Sequence, residues 1–290
     1  MALQDAHKID SLWNFNDPAQ TEDRFQELIS EIDGDTDMAW SIELLTQLAR
    51  TQGLQQKFAE AHETLDLAQS ELKPAMQRAN IRFLLERGRV FNSSGKREES
   101  KPLFLQAWQL GLDASEDNLA VDAAHMLGIV EAGQESLRWN ELAMAHAEKS
   151  AAPQARNWLG SLYNNIGWTY HGLNQFETAL DRFQRALRFR EAQAKPDLIR
   201  IAKWSMARCL RSLGRVDEAL AMQRALLDEF NAAGETDGYV FEEIGECLLA
   251  LNQLDDAVPY FAKAYEILSQ DAWLVAQEPA RLQRLKNFFS

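Results

Sequence analysis

The sequence predicts an all-α solenoid of about six helix-turn-helix units, closed by a capping helix at each end. Three observations carry that prediction. Small residues recur at a nearly constant interval: Ala49, Gly88, Gly128, Gly167, Ala207 and Gly245 stand 39, 40, 39, 40 and 38 residues apart. With Gly167 taken as position 8, position 20 is Ala61, Ser100, Asn140, Ala179, Ala219 and Ala257, and position 27 is Ala68, Ala107, Ala147, Ala186, Leu226 and Ala264. Position 24 supplies bulk between them, as Leu65, Phe104, Met144, Phe183, Gln223 and Phe261. Small residues let two helix axes approach, and large ones fill the space between. A helix pair of this kind cannot bury its apolar stripe alone, so neighbouring units must stack.

In chain order, residues 1–35 read as an N-terminal capping helix, opened by Asp17 as cap and Pro18 in the first turn. Phe25, Leu28, Ile29 and Ile32 give it an apolar side, and Gly34-Asp35 separate it from the first repeat. Six units follow at about 42–75, 81–114, 121–154, 160–193, 200–233 and 238–271. Each holds an A helix and a B helix joined near position 15 by a short turn such as Asn92-Ser93-Ser94-Gly95 or Leu213-Gly214-Arg215. Asn140, Gln223 and Leu226 depart from the frame and predict shifted packing in the third and fifth units. Pro102 and Pro259 both fall at position 22 and predict a kink near the start of helix B. Residues 272–290, with Trp273, Leu274, Leu282, Leu285, Phe288 and Phe289, read as a C-terminal capping helix interrupted by Pro279. Phe288-Phe289 is alternatively a partner contact.

Composition narrows the function. The 290 residues are 46% hydrophobic and carry a net charge of −14, which excludes a disordered chain and argues against a basic nucleic-acid footprint. The charge is uneven: −9 over residues 1–80, −2 over 81–160, +2 over 161–236 and −5 over 237–290. No apolar run is long enough to span a bilayer, and the first fifteen residues lack the apolar core of a secretory signal. With two cysteines and no disulfide framework, the expectation is a cytoplasmic protein without membrane contact.

Motifs for chemistry are missing, and no enzyme, cofactor or metal site is expected. Gly95-Lys96 lacks the earlier glycine of a phosphate loop, and His62-Glu63 lacks the second histidine of a zinc-protease helix. Cys209 and Cys247 share position 10 of adjacent units, about 10 Å apart by helix spacing, too far for a disulfide. Glu98-Glu99 and Asp255-Asp256 stand where B helices begin and suit the positive end of a helix dipole.

The fourth unit resembles a tetratricopeptide repeat: Tyr163, Ile166-Gly167, Tyr170, Ala179, Phe183 and Ala186 match the pattern of aromatic, Leu-Gly, Tyr, Ala and Phe. The long interval is similar to the repeats of kinesin light chain and of bacterial peptide-sensing regulators. Asn164-Asn165 is similar to the asparagine pair of the former. The resemblance covers roughly residues 37–270 and implies a right-handed superhelix whose A helices line a concave groove. Positions 2, 5, 9 and 12 of helix A then face that groove. They place Arg82 and Arg89, His125, Asn164, Trp168 and His171, Trp204, Arg208 and Arg211, and Glu242 and Glu246 on its wall, with Asn165 beside them.

Two tryptophans among arginines are unlike a solvated face and fit a partner-binding surface, although both rings are alternatively filler for the inner curve. The resemblance implies a scaffold that holds a peptide or a partner helix. Asparagine amides would pair its backbone, Arg208 and Arg211 would meet acidic side chains or a free C-terminus, and Glu242 and Glu246 would meet a base. The chaperone-type carboxylate clamp is not reproduced, since position 5 is never Lys and position 9 never Asn. The alternatives are a ligand-responsive regulator that changes shape on binding a peptide, and a homo-oligomeric scaffold.

Overall fold

The computed structural model describes residues 8–32 and 38–289, and the regular structure among them is entirely helical. The chain is an all-α repeat solenoid that divides into two compact units, one ending at Leu159 and one beginning at Gly160. No helix among the described residues is long and apolar enough to cross a membrane.

The first unit opens with α1 (Lys8–Ser11) and α2 (Pro18–Glu31). The Asp17 side chain caps α2 by accepting from the Gln20 N–H, with Pro18 in the first turn. The separator Gly34-Asp35 lies outside the described residues. Three hairpins follow: α3 (Met38–Leu54) with α4 (Phe58–Glu71), α5 (Gln77–Ser93) with α6 (Arg97–Asp113), and α7 (Asp117–Val130) with α8 (Gly133–Lys149). The short α9 (Pro153–Arg156) ends the unit.

The second unit holds α10 (Leu159–Gly172), α11 (Phe176–Ala192), α12 (Pro196–Ser212), α13 (Val216–Ala233), α14 (Gly238–Ala250) and α15 (Leu254–Leu268), closed by α16 (Ala272–Gln277) and α17 (Pro279–Lys286). Pro279 starts α17 rather than bending one long cap. Leu274, Leu282 and Leu285 are buried against the last hairpin, and the Phe288 ring stacks on Phe261 at 4.1 Å.

The small-to-large frame is visible as contact. A Cβ built on Gly88, Gly167 or Gly245 would come within 2.5, 2.6 or 2.7 Å of the ring of Phe104, Phe183 or Phe261. Only glycine lets those rings lie flat on the A-helix backbone. Position 15 carries a second constraint: Gln56, Gly95, Asn174, Gly214 and Asn252 all turn left-handed, with φ between 57° and 81°. Each permits a closing bond across the helix end, such as Lys96 N–H to Phe91 O at 2.8 Å and Gln175 N–H to Tyr170 O at 2.9 Å.

The third unit differs. Its left-handed residue is Gly133, so α8 starts early, and Gly128 meets Asn140 at position 20 instead of the residue at position 24. In the fifth unit Gln223 takes the phenylalanine place, fully buried, with no hydrogen-bond partner for its amide. Pro102 and Pro259 sit sixth in α6 and α15, and both helices run on through them. Only one early carbonyl is released there, which the surrounding packing tolerates.

Candidate functional site

The twelve residues that the sequence assigns to a groove fall in both units, three in the first and nine in the second. In the second unit α10, α12 and α14 present them, and α17 packs its arginines beside them. Pro196 starts α12, and Asp237 caps α14 by accepting from the Tyr239 and Val240 N–H groups. These starts set the register that brings one aromatic from each helix into line.

The rings form a ladder. His171 meets Trp168 at 5.2 Å, Trp168 meets Trp204 at 5.8 Å, and Trp204 meets Tyr239 at 6.1 Å. Trp204 Nε1 donates to the Tyr239 carbonyl at 3.2 Å, and the Arg281 guanidinium lies 5.1 Å over the Tyr239 ring. Trp168 also touches the core ring of Phe183 at 5.0 Å, so its inner edge is packing and its outer edge is surface. The ladder borders a cleft of about 630 Å³ that Arg208, Glu242, Glu246 and Arg284 also line. On the other side of Trp204 lies an apolar pocket of about 390 Å³, walled by Ile201, Leu226, Phe230 and Val240.

The charges expected to await a partner are paired inside the chain. Glu243, 1% exposed, accepts from Arg208 Nη1 at 2.9 Å and from Arg211 Nε at 2.5 Å. Glu242 takes a bidentate bond from Arg281, 3.0 Å from Nε and 2.6 Å from Nη2, and Glu246 pairs with Arg284. For Glu243 the reason is register: positions 9 and 12 of α12 face position 6 of α14. Arg281 follows Glu242 by 39 residues, so the repeat interval itself would have pointed to it. Burial alone would lower Arg211, but the Glu243 hydrogen bond and charge outweigh it and hold the guanidinium above its ordinary value. Desolvation lowers His171, and Arg208 and Arg211 push it the same way. Its Nε2 is 2.9 Å from Ser212 Oγ. Asn164 Oδ1 accepts from Ser205 Oγ at 3.1 Å, and Asn165 stands beside it at a smaller cavity.

In the first unit two rings lie across the corresponding face and narrow it to a cavity of about 290 Å³, lined also by Arg82, Glu86 and Asp122. Trp13 and Phe15, stacked at 4.7 Å, lie over Arg50, whose guanidinium is 5.4 Å from each ring. Trp13 Nε1 donates to Gln47 Oε1 at 3.0 Å. Beneath them Arg82 pairs with Glu43 at 2.9 Å, and Arg89 bridges Glu86 at 2.6 Å and Asp122 at 2.5 Å. The His125 ring packs on Trp158 at 5.2 Å, and desolvation lowers it despite the nearby Asp122. Arg82, Arg89 and His125 are therefore held in an internal network, whereas the sequence assigns them to an open wall. Nothing in their spacing signals that the segment around Trp13 folds back over them.

Cys209 and Cys247 are free and buried, and burial pushes their thiols up to about 11 and about 12. His62 Nδ1 sits 2.8 Å from Arg87 Nη1, with its ring against Phe91.

The profile of the tetratricopeptide repeat matches residues 159–192. No curated protein sequence matches the chain. Among solved structures, a signal-transduction ATPase with a tetratricopeptide-repeat sensor, from Pyrococcus horikoshii, superposes with a TM-score of 0.72 at 12% identity, over 93% of this chain and 42% of that one. This chain thus spans less than half of that protein. RapI in its apo form gives 0.71 at 11% identity, over 97% of this chain and 82% of its own. The quorum sensor NprR from B. thuringiensis, also apo, gives 0.68 at 18% identity, over 98% and 82%. NprR in complex with its cognate peptide NprX gives 0.59 at 16% identity, over 98% and 84%.

Proposed function

We propose, from the premise that this is a tetratricopeptide-repeat protein, that it is an interaction module holding a peptide or partner helix along the aromatic ladder of its second unit. The observation that carries this reading is the pair of half-buried indoles, Trp168 and Trp204, exposed along an open cleft rather than closed into the core. Aromatic rings flanked by arginine concentrate binding energy where water is excluded. NprR, a structure of the same fold, holds a cognate peptide, which supports a peptide as the ligand class.

The charged wall sets the partner's character. Arg208 commits only Nη1 to Glu243 and keeps 34% of its side chain exposed. An acidic side chain or C-terminal carboxylate therefore competes with, or adds to, Glu243 at that end. Glu242 and Glu246 are neutralised by Arg281 and Arg284, so a basic partner residue is recognised there only by displacing an arginine.

Panning a random peptide library on the chain tests the reading. Enriched peptides are expected to lose about tenfold or more in affinity when Trp204 becomes Ala, the loss of an aromatic anchor. Failure to enrich any peptide, or binding left unchanged by both Trp204→Ala and Trp168→Ala, refutes it.

A further inference from the structure

Half-buried and buried arginines of this chain share a rule, and one breaks it. Arg50, Arg78, Arg82, Arg87, Arg89, Arg182, Arg200, Arg208, Arg211 and Arg281 each have a carboxylate within ion-pair distance. Arg190, at the end of α11, has none among the described residues. Its hydrogen-bond partners are neutral: Nη2 donates to Ser161 Oγ at 2.8 Å and Nη1 to Gln193 Oε1 at 2.8 Å. A partly desolvated cation without a counter-charge is costly. Burial lowers the Arg190 guanidinium, and no neighbouring acid offsets that.

The guanidinium opens on a cavity of about 180 Å³ between α10, α11 and α12, lined also by Ser161, Asn164 and Asn165. Asn164 lines it with its Oδ1 already held by Ser205, which leaves the amide nitrogen as the group it has to offer. Gly160 makes the place for the cation: a Cβ on it would lie 2.4 Å from Arg190 Cζ. Room, donors and an uncompensated charge meet at one point, with Ile201 as the rim shared with the apolar pocket beside Trp204.

We propose that Arg190, with Ser161, Asn164 and Asn165, forms a carboxylate pocket that receives an acidic side chain or the free C-terminus of the bound peptide. This rests on the peptide-binding reading and adds to it a fixed anionic anchor, one turn of α12 away from the ladder. Arg190 supplies the charge, Ser161 orients the guanidinium, the Asn164 amide adds a donor, and Asn165 forms part of the wall.

The test uses the full chain with ¹⁵N-labelled arginine and two matched probes, N-acetylglycine and its neutral amide. A saturable shift of the Arg190 Nε resonance with the acid and none with the amide is expected. The response should vanish in Gly160→Val, which fills the cradle, and the resonance itself is assigned by its loss in Arg190→Gln. Equal shifts with both probes, or no shift with either, overturn the pocket while leaving the Trp204 result intact. Where panning yields peptides, Arg190→Gln should weaken them about tenfold, the worth of a charge-assisted bond. Replacing Glu by Gln inside the peptide, or amidating its C-terminus, then identifies which carboxylate is bound. Peptides indifferent to both changes overturn the proposal.

Discussion

The A-helix faces of the two units are built from the same parts and end in opposite states. The acids are buried in both, Glu43, Glu86 and Asp122 at 6%, 2% and 6% exposed and Glu242 and Glu243 at 6% and 1%, but in the first unit Trp13 and Phe15 lie over Arg50. In the second, Trp168, Trp204, Arg208 and Arg211 stay half exposed beside a cleft. Both use lateral ion pairs between successive A helices, so pairing does not distinguish a closed face from an open one. What distinguishes them is whether another segment of the chain lies across the face, narrowing about 630 Å³ of cleft in the second unit to about 290 Å³ in the first.

The largest effect should come from breaking a pair on each face. Glu86→Ala leaves Arg50 without its acid and Arg89 with Asp122 alone, and should cost about 3 kcal/mol in urea unfolding. Glu246→Ala releases an Arg284 that is 47% exposed, and should cost under about 1 kcal/mol. Equal costs would mean that the first face is not sealed. A middle-sized effect is expected of Trp13→Ala, which removes a ring stacked on Phe15, edge-on to Phe25 and under the Arg50 guanidinium. It should cost about 2 kcal/mol, less than a fully buried tryptophan. Arg50 should become modifiable by phenylglyoxal, as read by mass spectrometry. Continued protection of Arg50 would show that the cover does not depend on this ring.

The smallest effect is that of pH. His125 and His171, one on each face, are both held below the ordinary value of 6.5, chiefly by desolvation. The folded state therefore favours the neutral rings, so their contribution is complete above 6.5 and is lost as pH falls below it. The urea midpoint should drop as pH is lowered through that window. His125→Gln should flatten the slope more than His171→Gln if the covered face is the drier one, and ring-proton titration by NMR gives the individual values.

The repeat was legible from sequence because packing imposes strict local demands. Gly88, Gly167 and Gly245 each lie against a phenylalanine sixteen residues on, and position 15 must turn left-handed. The third unit's shift showed only as an odd Asn140, because its cause is where Gly133 turns the chain. The candidate site was half legible. Helical spacing put Trp168, Trp204, Arg208 and Arg211 on one face, but it could not show Glu243 buried between the two arginines, or Arg281 and Arg284 returning to Glu242 and Glu246.

By itself, then, the sequence determined the helices, their pairing and which side chains share a face, since these follow from periodicity within some forty residues. Tertiary structure alone decided which charges are spoken for, that Trp13 covers Arg50, and that Arg190 is left without an acid. Those outcomes depend on distances between residues that no local period connects, and on the water that folding removes from one face and leaves on the other.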